Sequence, residues 1–247
     1  MPRVDPPAIV LLATLSLLLL EAMAAAPPTR PPACTGLPPT ADFIAANHRF
    51  EALYDTDRAA FRAALTDFVT RHNNLGSTEI RFPRGPKTVF RSSLLARNPA
   101  CLEQLVKRHG VRTIVNLYSG DLIAEGALAA EEADAFTRFG GLSYIRILGL
   151  SDYPTPTESI ADIQARIASA IELIRAAPGN VLVHCVGGIH RTGEVYGVLQ
   201  KCFNRAPVET IRRDYVHHAG GATEDNPEYR GVDVDIIRSF DCRRLAP

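Results

Sequence analysis

Three consecutive apolar residues, Val181-Leu182-Val183, stand between a long amphipathic stretch and a glycine-bearing loop, and no other feature of the chain constrains its fold as much. A run that is short and apolar throughout fits a strand covered on both faces, which is the strand of a parallel sheet. Before it, Ile160, Ile163, Ile167, Ile171 and Ile174 mark one face of a helix that breaks at Pro178-Gly179. After the loop, Val195, Val198, Leu199 and Cys202 again keep helical spacing. The alternation extends upstream: Val89-Phe90 reads as a short strand, Pro99 to Gly110 as a helix, Val111 to Leu117 as a β-branched strand, residues 127–139 as a helix stopped by Gly140-Gly141, and Tyr144 to Leu150 as a further strand. The expected fold class is α/β, a mostly parallel central sheet flanked by helices. Ligands in such sheets bind beyond the carboxyl ends of the strands, where His184 begins.

The ends of the chain are organised differently. Arg3 precedes an apolar run from Ala8 to Leu20, and Ala22-Met23-Ala24 follows with the small residues a signal peptidase requires. Residues 1–24 read as a signal peptide, because the run is shorter than the roughly 20 residues of a membrane span. The expected product is exported, periplasmic or secreted, with a membrane as partner only if this segment stays uncleaved. Residues 25–40, rich in Pro, Thr and Ala, read as a linker. Residues 41–247 are expected to form a single domain whose residues 41–84 are an N-terminal helical addition, with Phe61, Leu65, Phe68 and Val69 on one helix face. Basic and acidic residues balance at 27 each, so overall charge makes no case for nucleic acid. All five cysteines follow the leader. A disulfide between Cys34 and Cys242, near the two ends, and two free structural thiols both fit. Cys101 and Cys202 lie in apolar helical patterns and read as core.

The loop reads His184-Cys185-Val186-Gly187-Gly188-Ile189-His190-Arg191-Thr192-Gly193. A short loop between a strand end and a helix start turns successive backbone N–H groups inward, and the helix dipole adds positive charge. Together they suit a tetrahedral dianion. Gly187 and Gly188 permit the tight turn. Arg191 can grip two phosphate oxygens with its planar fork. The same field lowers the pKa of a thiol, which makes Cys185 a candidate thiolate nucleophile.

This stretch resembles the signature of the protein tyrosine phosphatase superfamily, His-Cys-x-x-Gly-x-x-Arg-Ser/Thr-Gly, at every fixed position. Phe90-Arg91-Ser92-Ser93-Leu94 and Ile114-Val115-Asn116-Leu117 look more like the dual-specificity branch, and the resemblance covers roughly residues 85–240. It implies a sheet of the cysteine phosphatase type and chemistry without a cofactor or metal. By position it makes Cys185 the nucleophile and Arg191 the phosphate clamp. Thr192 would steady the leaving thiolate, and His184 would hold the loop and depress the thiol pKa. Val186, Gly187, Gly188, Ile189, His190 and Arg191 would form the substrate-binding loop.

The resemblance also requires an acid on a loop some thirty residues before the cysteine. Asp152, in Ser151-Asp152-Tyr153-Pro154, fits, and Asp121 is the runner-up. His217-His218 reads as a solvated helix end, not a metal site, because adjacent histidines do not share a helix face. Arg81, Arg84, Lys87 and Arg91 read equally as a basic rim and as ordinary surface. The plant and fungal atypical dual-specificity phosphatases usually carry basic residues where this chain has Val186, Gly187 and Ile189. The expected substrate is therefore a phosphorylated protein first and an inositol phosphate second. A non-catalytic phosphate-binding module is the alternative from another class.

Overall fold

The computed structural model describes Cys34 and residues 40–118, 123–151, 154–220 and 231–245. The proposed leader and most of the linker lie outside these residues. Two helices come first, α1 (Thr40–Leu53) and α2 (Arg58–Arg71). Asp57 starts α2 by accepting hydrogen bonds from the N–H groups of Ala59 and Ala60 at 3.0 Å each. Phe61, Leu65, Phe68 and Val69 form its buried face at the spacing expected.

The expectation of a helical addition over residues 41–84 fails beyond Arg71. Gly76–Phe82 forms strand β1 and pairs antiparallel with β2 (Gly85–Ser92). Ile80 and Phe82 point into the core while Glu79 and Arg81 face solvent, the alternation of an edge strand covered on one side. The chain continues through α3 (Pro99–His109), β3 (Val111–Asn116), α4 (Ile123–Arg138), β4 (Ser143–Arg146), α5 (Ile160–Ala176) and β5 (Asn180–His184). It closes with α6 (His190–Asn204), α7 (Val208–His218), α8 (Gly231–Ser239) and a 3-10 turn at Cys242–Leu245. β4 is shorter than the Tyr144–Leu150 expected. Gly149, at φ +73°, takes the chain out of extended geometry.

The sheet order is β1-β2-β5-β3-β4, and every pairing except β1 with β2 is parallel. β5 is the middle strand, as its apolar run requires. Val89, Val115, Val181 and Val183 pack in one cluster with residues of α5, α6 and α8. Phe90, Ile114 and Leu182 pack on the other face with residues of α3 and α4. The register sets Ser92 and Asn116 level with His184, which brings three strand ends to one edge. A third cluster, with Phe43, Phe61, Leu65 and Phe68 of α1 and α2, includes Leu94, Val186, Ile189 and Tyr215 at that edge.

The cysteines pair differently from either reading of the sequence. Cys34 is bonded to Cys101 and Cys202 to Cys242, which leaves Cys185 as the free thiol. Cys34 packs with the cluster around α3, which holds Cys101, and the 3-10 turn starting at Cys242 contacts α6, which carries Cys202. Each near-terminal cysteine thus meets a helical partner instead of the other. Titration of thiols on the denatured, unreduced protein should find one reactive group, and three would restore the Cys34–Cys242 alternative.

Candidate active site

Residues 185–189 connect β5 to α6 and, with His184 and His190 on either side, are buried throughout, while Arg191 is half-buried. The carbonyls of the loop are bound one after another from outside. His184 Nδ1 donates to the Cys185 carbonyl at 3.0 Å, and the Leu94 N–H donates to that of Val186 at 2.9 Å. Asn74 Nδ2 donates to Gly187 O at 2.9 Å, and Arg91 Nη2 to Gly188 O at 2.8 Å. A planar trans peptide sets its N–H opposite to its C=O. Four consecutive carbonyls held outward therefore turn the N–H groups of Val186, Gly187, Gly188 and Ile189 toward the inside of the loop. That is a cradle for an anion.

Gly188 makes the curvature possible. Its φ is +70°, and a Cβ there would stand 2.3 Å from the Ser92 carbonyl oxygen. A side chain is excluded both by conformation and by space. Gly187 shows no such positive φ.

Cys185 is 6% exposed. Burial pushes its thiol pKa up, but the charge of Arg191, hydrogen bonds from the Thr192 hydroxyl and N–H, and the charge of His190 outweigh it, so the pKa lies below the ordinary thiol value. Thr192 is fully buried, and its hydroxyl is among the groups that lower the thiol pKa. Arg191 donates from Nε to the Leu150 carbonyl at 2.7 Å, and its guanidinium lies 5.3 Å from the centre of the Tyr118 ring. His190 places Nδ1 2.8 Å from Asp233 Oδ2, an atom that also accepts from the Tyr215 hydroxyl at 2.6 Å. Asp233, fully buried on α8, thus fixes a proton on His190 Nδ1.

Val186 and Ile189 lie in the apolar cluster shared with α1 and α2, so only their backbone N–H groups serve the loop. This explains why neither is basic. The proposed basic rim dissolves for a topological reason. Arg91 is 1% exposed and spent on Gly188, on the Tyr196 ring and on Asp214 at 3.5 Å. Lys87 caps the C-terminus of α5, donating to Ile174, Arg175 and Ala177 carbonyls. Arg81 near the end of β1 and Arg84 in the β1–β2 turn lie at the opposite end of β2 from the loop, roughly 25 Å away along an extended strand. Asp152 and Asp121 both lie outside the described residues.

His218 is not solvated, contrary to the expectation for His217-His218. It is 4% exposed and its Nδ1 donates to Asn74 Oδ1 at 2.8 Å, which orients the Asn74 amide toward Gly187. Burial, with the charges of Arg91 and His217 adding to it, pushes its pKa down to about 2. The folded state keeps this ring neutral while the unfolded chain binds a proton below about pH 6.5. His218 should therefore remove about 1.4 kcal/mol of stability per pH unit as pH falls below about 6.5. Urea unfolding across pH should show a shallower acid slope, by one proton, in His218→Gln. An unchanged slope would place the titration elsewhere.

Among the described residues no group of three or more His, Cys, Asp or Glu side chains is arranged to hold a metal ion. Sequence reasoning missed Asn74, Glu132, Tyr215, His218 and Asp233 as supports of the loop. Only Asn74 carried a signal, in Asn73-Asn74-Leu75-Gly76, which reads as a helix stop and contains a residue at φ +42°.

No family model matches the chain, and no curated protein matches it. Solved structures similar to it include TpbA of P. aeruginosa, at 18% identity and a TM-score of 0.43, with 64% of this chain and 83% of that one covered. The PTP-2 phosphatase of Cydia pomonella is 14% identical with a TM-score of 0.40, over 61% of this chain and 83% of that one. Kinase associated phosphatase, with its catalytic-site cysteine replaced by serine, is 12% identical with a TM-score of 0.41, over 70% of this chain and 97% of that one.

Proposed function

We propose that the protein is a phosphomonoester hydrolase that works through a cysteinyl-phosphate intermediate, most fittingly a tyrosine or dual-specificity protein phosphatase. One observation carries the reading: the outward-held carbonyls of residues 185–188 enclose a buried, free thiol whose pKa is lowered by Arg191 and Thr192. The backbone N–H groups and Arg191 would bind the phosphoryl oxygens, and the Cys185 sulfur would attack phosphorus in line with the leaving oxygen. Asp152 would protonate that oxygen and then take a proton from the water that hydrolyses the cysteinyl phosphate. Leu150, two residues before Asp152, gives its carbonyl to Arg191, which supports this placement of the acid. Thr192 would receive the thiolate as the second step releases it.

Protein substrates are favoured over inositol phosphates because the loop supplies few cations besides Arg191 and His190, and the four upstream basic residues do not add to it. Among solved structures similar to this chain is a cysteine-to-serine variant of TpbA in complex with pTyr, at 21% identity and a TM-score of 0.40. Export from the cytoplasm is part of the same proposal. The apolar leader supports it, and so do two disulfides, a pattern of oxidising compartments. A phosphate-release panel tests the substrate class. Phosphotyrosyl peptides should be turned over at higher kcat/KM than inositol phosphates, and the reverse order would transfer the assignment to the second substrate.

A further inference from the structure

A carboxylate that no feature of the sequence marks lies under the loop. Glu132 of α4 is fully buried, and so is His184, whose Nε2 stands 2.8 Å from Glu132 Oε2. The Leu95 N–H donates to Glu132 Oε1 at 2.6 Å, and the Tyr144 hydroxyl donates to Oε2 at 2.7 Å. Tyr144 must donate there, because its oxygen accepts from Asn116 Nδ2 at 3.1 Å. Asn116 is oriented in turn, because its Oδ1 accepts from the Tyr118 N–H at 2.8 Å.

The partners of the imidazole bear on its charge. On one side His184 Nδ1 faces the Cys185 carbonyl, which can only accept. On the other, Nε2 stands 2.8 Å from an oxygen of a carboxyl group that already accepts from a backbone N–H and a hydroxyl. Both ring nitrogens therefore face acceptors, the carbonyl at 3.0 Å and the carboxyl oxygen at 2.8 Å. We propose that Glu132 is a positioning residue that holds His184 as an imidazolium against the Cys185 peptide and so stabilises the thiolate.

The groups facing His184 are Glu132 from α4 and Cys185 in the loop, with Tyr144 of β4 and Asn116 of β3 behind the carboxylate. Burial alone would lower the pKa of the ring. The charge and hydrogen bond of Glu132 outweigh burial and raise it. The pair orients its positive end toward the nucleophile and its negative end away, so the thiolate gains a cation from a pair with no net charge. The proposal rests on Cys185 as nucleophile but not on the identity of the substrate.

The test is the pH dependence of Cys185 alkylation by iodoacetamide, read by mass spectrometry on the mature protein, which requires no turnover. In Glu132→Gln the neutral amide cannot hold the proton, and the apparent thiol pKa should rise by about 1 unit, a roughly ten-fold loss of alkylation rate on the acid side. The acid limb of kcat/KM should move with it. The His184 Cε1–H resonance should stay in its protonated position above neutral pH in wild type and titrate in the variant. Glu131→Gln, at the neighbouring exposed residue paired with Arg97, is the control and should change none of these. If Glu132→Gln does not fold, Tyr144→Phe removes one donor to the carboxylate and should shift the thiol in the same direction by less. A folded Glu132→Gln with an unchanged alkylation profile, whatever its thermal stability, overturns the proposal, as does an unchanged profile in Tyr144→Phe where that variant must decide. A shifted profile in a protein that releases no phosphate would keep the Glu132 role and reject the phosphatase reading.

Discussion

Replacing Cys185 by serine should abolish phosphate release, by about 10⁴-fold or more, while phosphate and vanadate binding persist. The two outcomes separate because the two functions reside in different atoms. Binding belongs to the inward N–H groups of residues 186–189 and to Arg191, and the carbonyl contacts from Leu94, Asn74 and Arg91 that set this geometry do not involve the sulfur. Attack belongs to the thiolate. A serine hydroxyl in the same buried position would have to lose a proton that burial makes it hold, and the positive surroundings that suffice for a thiol do not suffice for an alcohol. Isothermal titration with vanadate and a phosphate-release assay on the same preparation read both effects. Loss of binding together with turnover would mean that the variant disturbs the loop, and near-normal turnover would remove Cys185 from the mechanism.

Asp152→Asn should have the second largest effect, and its size should depend on the leaving group. Esters with poor leaving groups, such as phosphotyrosyl peptides, should slow by about 10²–10⁴-fold, because their oxygen needs a proton in the transition state. Activated aryl phosphates should slow much less. The contrast in kcat/KM between the two substrates, which reports formation of the cysteinyl phosphate and not its hydrolysis, distinguishes an acid from a residue that merely shapes the pocket. Equal losses on both, or none, would move the role to Asp121 or to another carboxyl.

The parts of the fold that sequence made legible are those whose side chains repeat. Val181-Leu182-Val183, Ile163, Ile167, Ile171 and Ile174 of α5 and the Pro99-to-Gly110 helix all show a period set by one buried face and stand where expected, whereas Ile160, at the first position of α5, is exposed instead of core. The loop itself was legible because its chemistry fixes residue types at fixed offsets. β1 was hidden because only Ile80 and Phe82 of its seven residues are buried, too short an alternation to stand out beside a strong helical pattern. α7 and α8 bury only part of each face and carry charges that read as surface.

The supports of the site were hidden for a more general reason. Glu132, Asp233 and Arg91 are charged residues, which sequence reasoning places in solvent unless a partner is known. Their partners are His184, His190 and the Gly188 carbonyl, which lie 43 residues away for Asp233 and 97 for Arg91, and only the folded sheet brings them together. The cysteines illustrate the same limit. Four paired cysteines allow three connectivities, and proximity to the chain ends says nothing about which helix each end will meet. The observed pairs follow from packing, Cys34 against the α3 side of the sheet and Cys242 against α6.

The most direct test of the central claim is to catch the intermediate. Wild type mixed with a phosphotyrosyl peptide and quenched in acid within the first turnovers should yield a peptide containing Cys185 that carries one phosphoryl group. The adduct should be absent from Cys185→Ser, and with an activated aryl phosphate, whose oxygen leaves without a proton, it should accumulate in Asp152→Asn, where hydrolysis of the intermediate lacks its base. Phosphate release by wild type with no adduct on Cys185, under conditions where Asp152→Asn also shows none, would contradict a cysteinyl-phosphate mechanism for this protein.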